Sequence, residues 1–204
     1  LIFFIIILLL IKKKENFRSQ EKVYISLTTI PSRIDKLEPI LDSLLDQQIE
    51  IEKILLNIPK YSLRFKKEYK IPKFLKKDKF KNKVKVIRCH DYGPATKLLG
   101  CLDFFDNQKN KENIYVMIID DDREVDKKLF KHLFDKQIEN KNNIIANKGS
   151  SQTLSVKIPW GAGGISIPLK FLNKKEILDF FKKHEEYCRY VDDVFWYKYF
   201  IQKK

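Results

Sequence analysis

Apolar and polar positions along the chain fall into blocks that switch between a period of two and a period near 3.6. Val23-Tyr24-Ile25-Ser26-Leu27 is a short β-rich run that reads as a buried first strand. After the turn 28–32, Ile34, Leu37, Leu41, Leu44 and Leu45 recur at helical spacing, with Pro39 in the first turn or at a kink. Residues 51–58 predict a second strand ended by Pro59, and Val84-Lys85-Val86-Ile87 predicts a third. The stretch 60–83 between them is basic and poorly patterned, a loop with a short helix. Residues 94–105 predict one helix, entered through Asp91-Tyr92-Gly93-Pro94.

Ile114-Tyr115-Val116-Met117-Ile118-Ile119 is the strongest strand signal, and it stops in Asp120-Asp121-Asp122. Val125, Leu129, Phe130, Leu133, Phe134 and Ile138 then predict an amphipathic helix. Further strands are predicted at 144–146, 154–158 and 165–167, the last after the glycine-rich turn Trp160-Gly161-Ala162-Gly163-Gly164. Helices over 175–184 and 191–201 close the chain. Strands alternating with helices imply an α/β layered sandwich with a mostly parallel sheet, in which ligands sit at the carboxyl ends of strands.

The acidic run lies at such an end. Three consecutive aspartates raise one another's pKa unless a cation compensates, and a hard ion with oxygen ligands, Mn²⁺ or Mg²⁺, is the natural compensator. Alternation in extended chain turns Asp120 and Asp122 toward one site and Asp121 away. A second acidic pair, Asp192-Asp193, opens the last helix, either as a plain helix cap or as a general base. Lys97, at the start of the 94–105 helix, is a candidate phosphate partner or a surface lysine. His90, His132 and His184 lack metal-ligand spacing.

With 204 residues, 44% hydrophobic and 13% aromatic, the chain has core material for one domain and is too apolar to be disordered. Three cysteines without a CxxC spacing argue against a zinc site or disulfide framework. The net charge of +14 comes mostly from lysine runs, which suit a solvated surface or attraction to nucleotide phosphates, anionic lipid or nucleic acid. Abundant Lys, Asn and Ile also suit an AT-rich gene. Residues 1–11 are unbroken apolar sequence followed by Lys12-Lys13-Lys14. They read as the remnant of a signal-anchor or signal-peptide segment, with 12–22 a polar stem and 23–204 the folded domain. The expected location is therefore membrane-anchored or secretory, with the cytoplasm as the alternative.

Five blocks occur in order: Ser26-Leu27-Thr28-Thr29-Ile30-Pro31-Ser32-Arg33, Asp91-Tyr92-Gly93-Pro94-Ala95-Thr96-Lys97, Ile119-Asp120-Asp121-Asp122, Gly161-Ala162-Gly163-Gly164 and Asp192-Asp193-Val194. Together they resemble the blocks of GT-A fold glycosyltransferases, specifically small family-2-like enzymes. The resemblance implies a Rossmann-like three-layer sandwich, the nucleotide-diphospho-sugar transferase fold. It implies a metal-dependent, inverting, hexosyltransferase-like enzyme that moves a sugar from a nucleotide-sugar donor to a hydroxyl of a glycan, glycoprotein or glycolipid. Thr28, Ile30, Arg33, Asp91, Lys97, Asp120, Asp121, Gly163 and Gly164 would border the donor, Asp120 and Asp122 would ligate Mn²⁺ or Mg²⁺, and Asp193 would be the base with Asp192 supporting it.

Two other classes compete. A haloacid-dehalogenase-type phosphatase expects Thr or Val two residues past the second aspartate, where Glu124 stands. A non-catalytic basic module, or a degenerate transferase lacking its acceptor region, would account for the charge. No nucleic-acid motif accompanies that charge, and the acidic clusters repel phosphate in the absence of a metal, so no nucleic-acid partner is expected.

Overall fold

The computed structural model describes residues 21–201 apart from 109, 148, 151–157 and 160–162. The predicted N-terminal anchor, nearly all of the stem, most of the 154–158 strand and residues 160–162 of the glycine-rich turn lie outside the described residues.

Strand β1 (Lys22–Thr28) is buried from Val23 to Leu27, because both faces of the sheet are covered. Val23, Ile25 and Leu27 point to one core, and Tyr24 to the other, with Ser26 on Tyr24's side. A 3₁₀ turn (Ile34–Lys36) leads into α1 (Glu38–Leu45), which carries Pro39 in its first turn, where its missing N–H costs nothing. β2 (Lys53–Pro59) pairs in parallel with β1. The stretch 60–83, expected as loop with a short helix, also contains a hairpin of β3 (Tyr61–Ser62) and β4 (Lys67–Glu68), before α2 (Asp78–Lys81). β5 (Val84–Cys89) pairs in parallel with β2 at the sheet edge.

The single helix expected over 94–105 is broken into a 3₁₀ turn (Gly93–Ala95), α3 (Thr96–Leu99) and a second 3₁₀ turn (Leu102–Phe105). Gly100 marks the break. A Cβ there would lie 2.8 Å from Asn57 Cβ and 2.9 Å from Cys89 Sγ, so the absent side chain lets the segment press onto the sheet. β6 (Ile114–Ile118) is wholly buried and pairs in parallel with β1 on the side opposite β2.

Helix α4 (Leu129–Glu139) starts later than its periodicity predicts. Residues before it are held as a loop by α1 and its C-terminal turn: Val125 N donates to Ser43 Oγ at 3.0 Å and Gln47 Nε2 to Asp126 O at 3.0 Å. Gln47 Oε1 then accepts from Phe130 N at 3.2 Å, satisfying a first-turn amide. β7 (Ile145–Ala146), the small pair β8 (Gly149–Ser150) and β9 (Ile158–Pro159), and β10 (Ile165–Pro168) follow. The chain then forms α5 (Lys174–Lys183), capped by Asn173 accepting from Glu176 N, then α6 (Glu185–Cys188) and α7 (Asp192–Ile201).

The central sheet has the order β5-β2-β1-β6-β10-β7, parallel through its first four strands, with β10 antiparallel to β6 and β7. Leu41, Leu44, Phe130 and Leu133 from α1 and α4 cover one face; Leu98, Phe181, Phe195 and Trp196 from α3, α5 and α7 cover the other. The architecture is the predicted α/β three-layer sandwich with a mostly parallel sheet. The cysteines Cys89, Cys101 and Cys188 carry free thiols. No helix among the described residues is long and apolar enough to cross a membrane.

Candidate active site

The carboxyl ends of β1 and β6 lie side by side, and the chain leaving each forms the floor of a cleft of about 430 Å³. Thr28, Thr29, Ile30 and Arg33 come from the β1 exit, and Asp120, Asp121 and Asp122 from the β6 exit. Asp192, at the start of α7, closes one wall, and the β3–β4 hairpin contributes Ser62, Arg64 and Phe65.

Two polar residues within apolar strands set the position of Lys97. Ser26 and Asn57 sit on neighbouring strands, fully buried. Ser26 Oγ donates to Lys97 O at 2.5 Å, and Asn57 Nδ2 donates to Ser26 Oγ at 2.8 Å and to Lys97 O at 3.3 Å. Hydroxyl and amide thus pin the first turn of α3 to the sheet through its backbone. The Lys97 ammonium then reaches two carboxylates, pairing with Asp120 Oδ1 and, at 2.9 Å, with Asp192 Oδ2. Trp196 Nε1 donates to the same Asp192 oxygen at 2.9 Å. Burial pushes the Lys97 pKa down, yet Asp192 and Asp120 outweigh it and hold the ammonium above the ordinary lysine value. Lys97 is therefore a buried counter-ion between two carboxylates, not a surface lysine: its side chain is 3% exposed.

The alternation expected for the acidic run does not survive its exit from the strand. Asp121, expected to face away, lines the cleft and is 7% exposed. Thr29 Oγ1 donates to it, and the Arg33 guanidinium makes a two-point contact, Nη2 to Oδ1 at 2.6 Å and Nε to Oδ2 at 3.1 Å. The period of two holds for extended backbone; past Ile119 the chain turns, and Thr29 and Arg33 decide the direction. Burial raises the Asp121 pKa, with Thr29 and Arg33 opposing it. Asp122 is about half exposed at the cleft, and among the described residues the cation it meets is Arg123, at 3.7 Å.

Asp91 is also buried at the cleft, and its oxygens are occupied by the backbone: Leu63 N donates to Oδ2 at 2.7 Å and Gly93 N to Oδ1 at 2.8 Å. It thereby ties the β3–β4 hairpin to the start of α3. Gly93 has φ +64°, and a Cβ on it would lie 2.2 Å from Arg189 O, so no other residue fits this crossing. Tyr69 OH donates to Thr29 O at 2.9 Å, and burial, followed by the Asp91 charge, pushes its phenol up to about 12. It stays a neutral donor at all ordinary pH.

Thus Thr28, Ile30, Arg33, Asp91, Lys97 and all three aspartates of the run converge on one cleft with Asp192. Asp193 is half-buried on the same helical turn but is not among the residues lining the cleft. Gly163 and Gly164 do not line it either; Gly164, with φ +86°, packs against Leu133 and Leu129 of α4. Sequence reasoning missed Ser26, Asn57, Arg64, Phe65, Tyr69 and Trp196. Ser26 and Asn57 carry a readable signal, as polar residues inside apolar strands; the hairpin residues carry none.

No group of three or more His, Cys, Asp or Glu forms a metal cage among the described residues. Asp120 and Asp122 are nonetheless hard oxygen donors at the cleft. Mg²⁺ typically takes one or two carboxylates and completes its shell with water and substrate phosphate. Two carboxylates are within the number that such an ion takes from a protein, although Asp120 Oδ1 already pairs with Lys97.

No protein-family model matches the chain, and neither does any curated protein. Among solved structures, the 2-C-methyl-D-erythritol 4-phosphate cytidylyltransferase IspD of Francisella tularensis matches with TM-score 0.50 and 16% identity, over 85% of this chain and 82% of that one. The glycosyltransferase GlyE of Streptococcus pneumoniae TIGR4 matches with TM-score 0.44 and 15% identity, over 81% of this chain. TarS of S. aureus, residues 1–349 in complex with UDP, matches with TM-score 0.46 and 13% identity, over 76%. This chain spans 40% of the GlyE chain and 49% of the TarS chain. The fold is of the GT-A type, the nucleotide-diphospho-sugar transferase α/β sandwich, shared with the cytidylyltransferase.

Proposed function

We propose that the chain is a small, family-2-like glycosyltransferase that moves a sugar, with inversion, from a nucleotide-sugar donor to a hydroxyl of a glycan, glycoprotein or glycolipid. The observation that carries this reading is the meeting of Asp120 and Asp122 with the Lys97–Asp192 pair in one cleft at the carboxyl ends of β1 and β6.

Thr28, Ile30 and Arg33 border the nucleotide, with Arg33 fixed by Asp121 and its guanidinium partly exposed toward the cleft. Asp122 and Asp120 would hold Mn²⁺ or Mg²⁺, which when bound supplies positive charge to the diphosphate. Asp192 takes the part of base, because its carboxylate, not that of Asp193, lines the cleft. Trp196 Nε1 and Lys97 Nζ hold its Oδ2 from two directions. The acceptor oxygen bonds to the anomeric carbon, its proton passes to the Asp192 carboxylate, and the carbon–phosphate-oxygen bond breaks with its electron pair leaving on the diphosphate. Attack opposite the leaving group inverts the anomeric centre.

The test is a screen of nucleotide sugars for Mn²⁺-dependent release of nucleoside diphosphate. Asp122→Ala lowers turnover by at least about a hundredfold. Asp192→Asn stops transfer while donor binding persists, and Asp193→Ala has the smaller effect of the two. Undiminished, metal-independent turnover in Asp122→Ala sinks the assignment, and release of pyrophosphate from a nucleoside triphosphate with a sugar phosphate, with no diphosphate released from nucleotide sugars, means nucleotidyl transfer.

A further inference from the structure

The chain's positive charge is not spread evenly. Residues 60–88, the crossover from β2 to β5 together with most of β5, hold thirteen Lys and Arg against two Asp and Glu, a net +11 of the chain's +14. The other 175 residues hold 28 against 25. A compositional drift toward lysine acts on the whole chain and does not produce this concentration. All thirteen cations are exposed, and among the described residues only Lys77 and Lys79 meet carboxylates, Glu38 and Asp42 on and beside α1's first turns.

The charge is accompanied by apolar side chains that the core does not take up. In residues 60–71, Tyr61, Leu63, Phe65 and Ile71 are 42–45% exposed, interleaved with Lys60, Arg64, Lys66, Lys67 and Lys70. The Arg64 guanidinium lies 5.3 Å from the Phe65 ring centroid and 5.9 Å from that of Tyr190, itself 59% exposed. A second exposed aromatic is thus brought to the same rim from the turn between α6 and α7. Aromatic rings alone would suit bases as well as lipid. Exposed Leu63 and Ile71 offer nothing to a phosphate backbone or a base stack, but they fit the boundary between headgroups and acyl chains.

We propose that the hairpin of residues 60–71 docks the protein onto an anionic phospholipid leaflet, with Leu63, Phe65 and Ile71 entering the boundary and the flanking lysines meeting headgroup phosphates. Ser62, Arg64 and Phe65 also line the cleft, so docking in this way opens the cleft at the lipid surface. The inference rests on charge and exposure, and stands apart from the transferase reading.

Flotation of the full chain with vesicles tests it, using phosphatidylcholine alone and phosphatidylcholine with about one-third phosphatidylserine. Binding is expected on the anionic vesicles only, weakening as salt rises. Each lysine at such a surface contributes about fivefold, so Lys66→Ala/Lys67→Ala/Lys70→Ala lowers binding by about a hundredfold. The arginine version of the same triple variant retains binding. Leu63→Ser/Phe65→Ser weakens binding while keeping its salt dependence. All these positions are exposed, and an unchanged urea midpoint confirms that each variant is folded. Equal binding to neutral vesicles, binding unaffected by the lysine variant, or tighter binding to single-stranded RNA than to anionic vesicles at the same salt overturns the proposal.

Discussion

Lys97 and the lysines of the β2–β5 crossover carry the same charge, and the molecule uses them in opposite ways. Lys97 is almost fully buried, held between Asp120, whose side chain is one-third exposed, and the buried Asp192. The crossover lysines are exposed, and most meet no carboxylate among the described residues. In low dielectric a charge must be matched locally, because desolvation costs several kcal/mol per ion. In water the same charge needs no partner, and its field extends about 10 Å at ordinary salt. A buried lysine therefore organises neighbouring groups, whereas a field of exposed lysines meets something outside the molecule.

The largest effect is expected where the buried end of this comparison is broken. Lys97→Met removes the shared counter-ion and leaves two carboxylates facing each other, which should cost about 3–5 kcal/mol in urea unfolding. Adding Asp192→Asn should recover part of that loss, with a coupling term read from the double-mutant cycle. A Lys97→Met midpoint equal to the wild type would mean that the pair contributes nothing to the fold.

Arg33 tests an intermediate case, a half-exposed cation on a buried carboxylate. Arg33→Ala should cost about 1–3 kcal/mol at neutral pH. The pH dependence has a definite sign. Burial already raises the Asp121 pKa above its unfolded value, so any stability that this group contributes is present at low pH and lost as pH rises through the folded pKa. Arg33 opposes that shift, and removing it raises the pKa further. The gap in Tm between variant and wild type should therefore narrow as pH falls from 7 toward about 4. A gap that widens in acid contradicts the pairing with Asp121.

The smallest effect is expected at the exposed end. Lys66→Ala, Lys67→Ala and Lys70→Ala should each change folding stability by no more than about 0.5 kcal/mol. A loss near that of Lys97→Met in any of them would erase the distinction between the two regions.

Much of the frame was legible from periodicity. β1, β2, β5 and β6 lie close to where their apolar runs predict them, and Asp120-Asp121-Asp122 stands at the carboxyl end of a buried strand as expected. The hairpin was not legible, because strands of two residues leave no period to read. The helix over 94–105 was misjudged because its apolar spacing says nothing of Asn57 and Cys89, against which Gly100 packs.

The sequence by itself determined the order of the main sheet strands β1, β2, β5 and β6, the two buried faces of the sheet and the strand end at which carboxylates gather. These depend on side-chain alternation within a few residues, which local spacing encodes. Only the tertiary structure decided which carboxylate turns inward and what Lys97 touches. Asp121 is oriented by Thr29, 92 residues away, and Lys97 meets Asp120 across 23 residues. Once the chain leaves the strand, no local period constrains a side chain, and its direction follows from whichever distant partners the packed sheet brings within hydrogen-bonding reach.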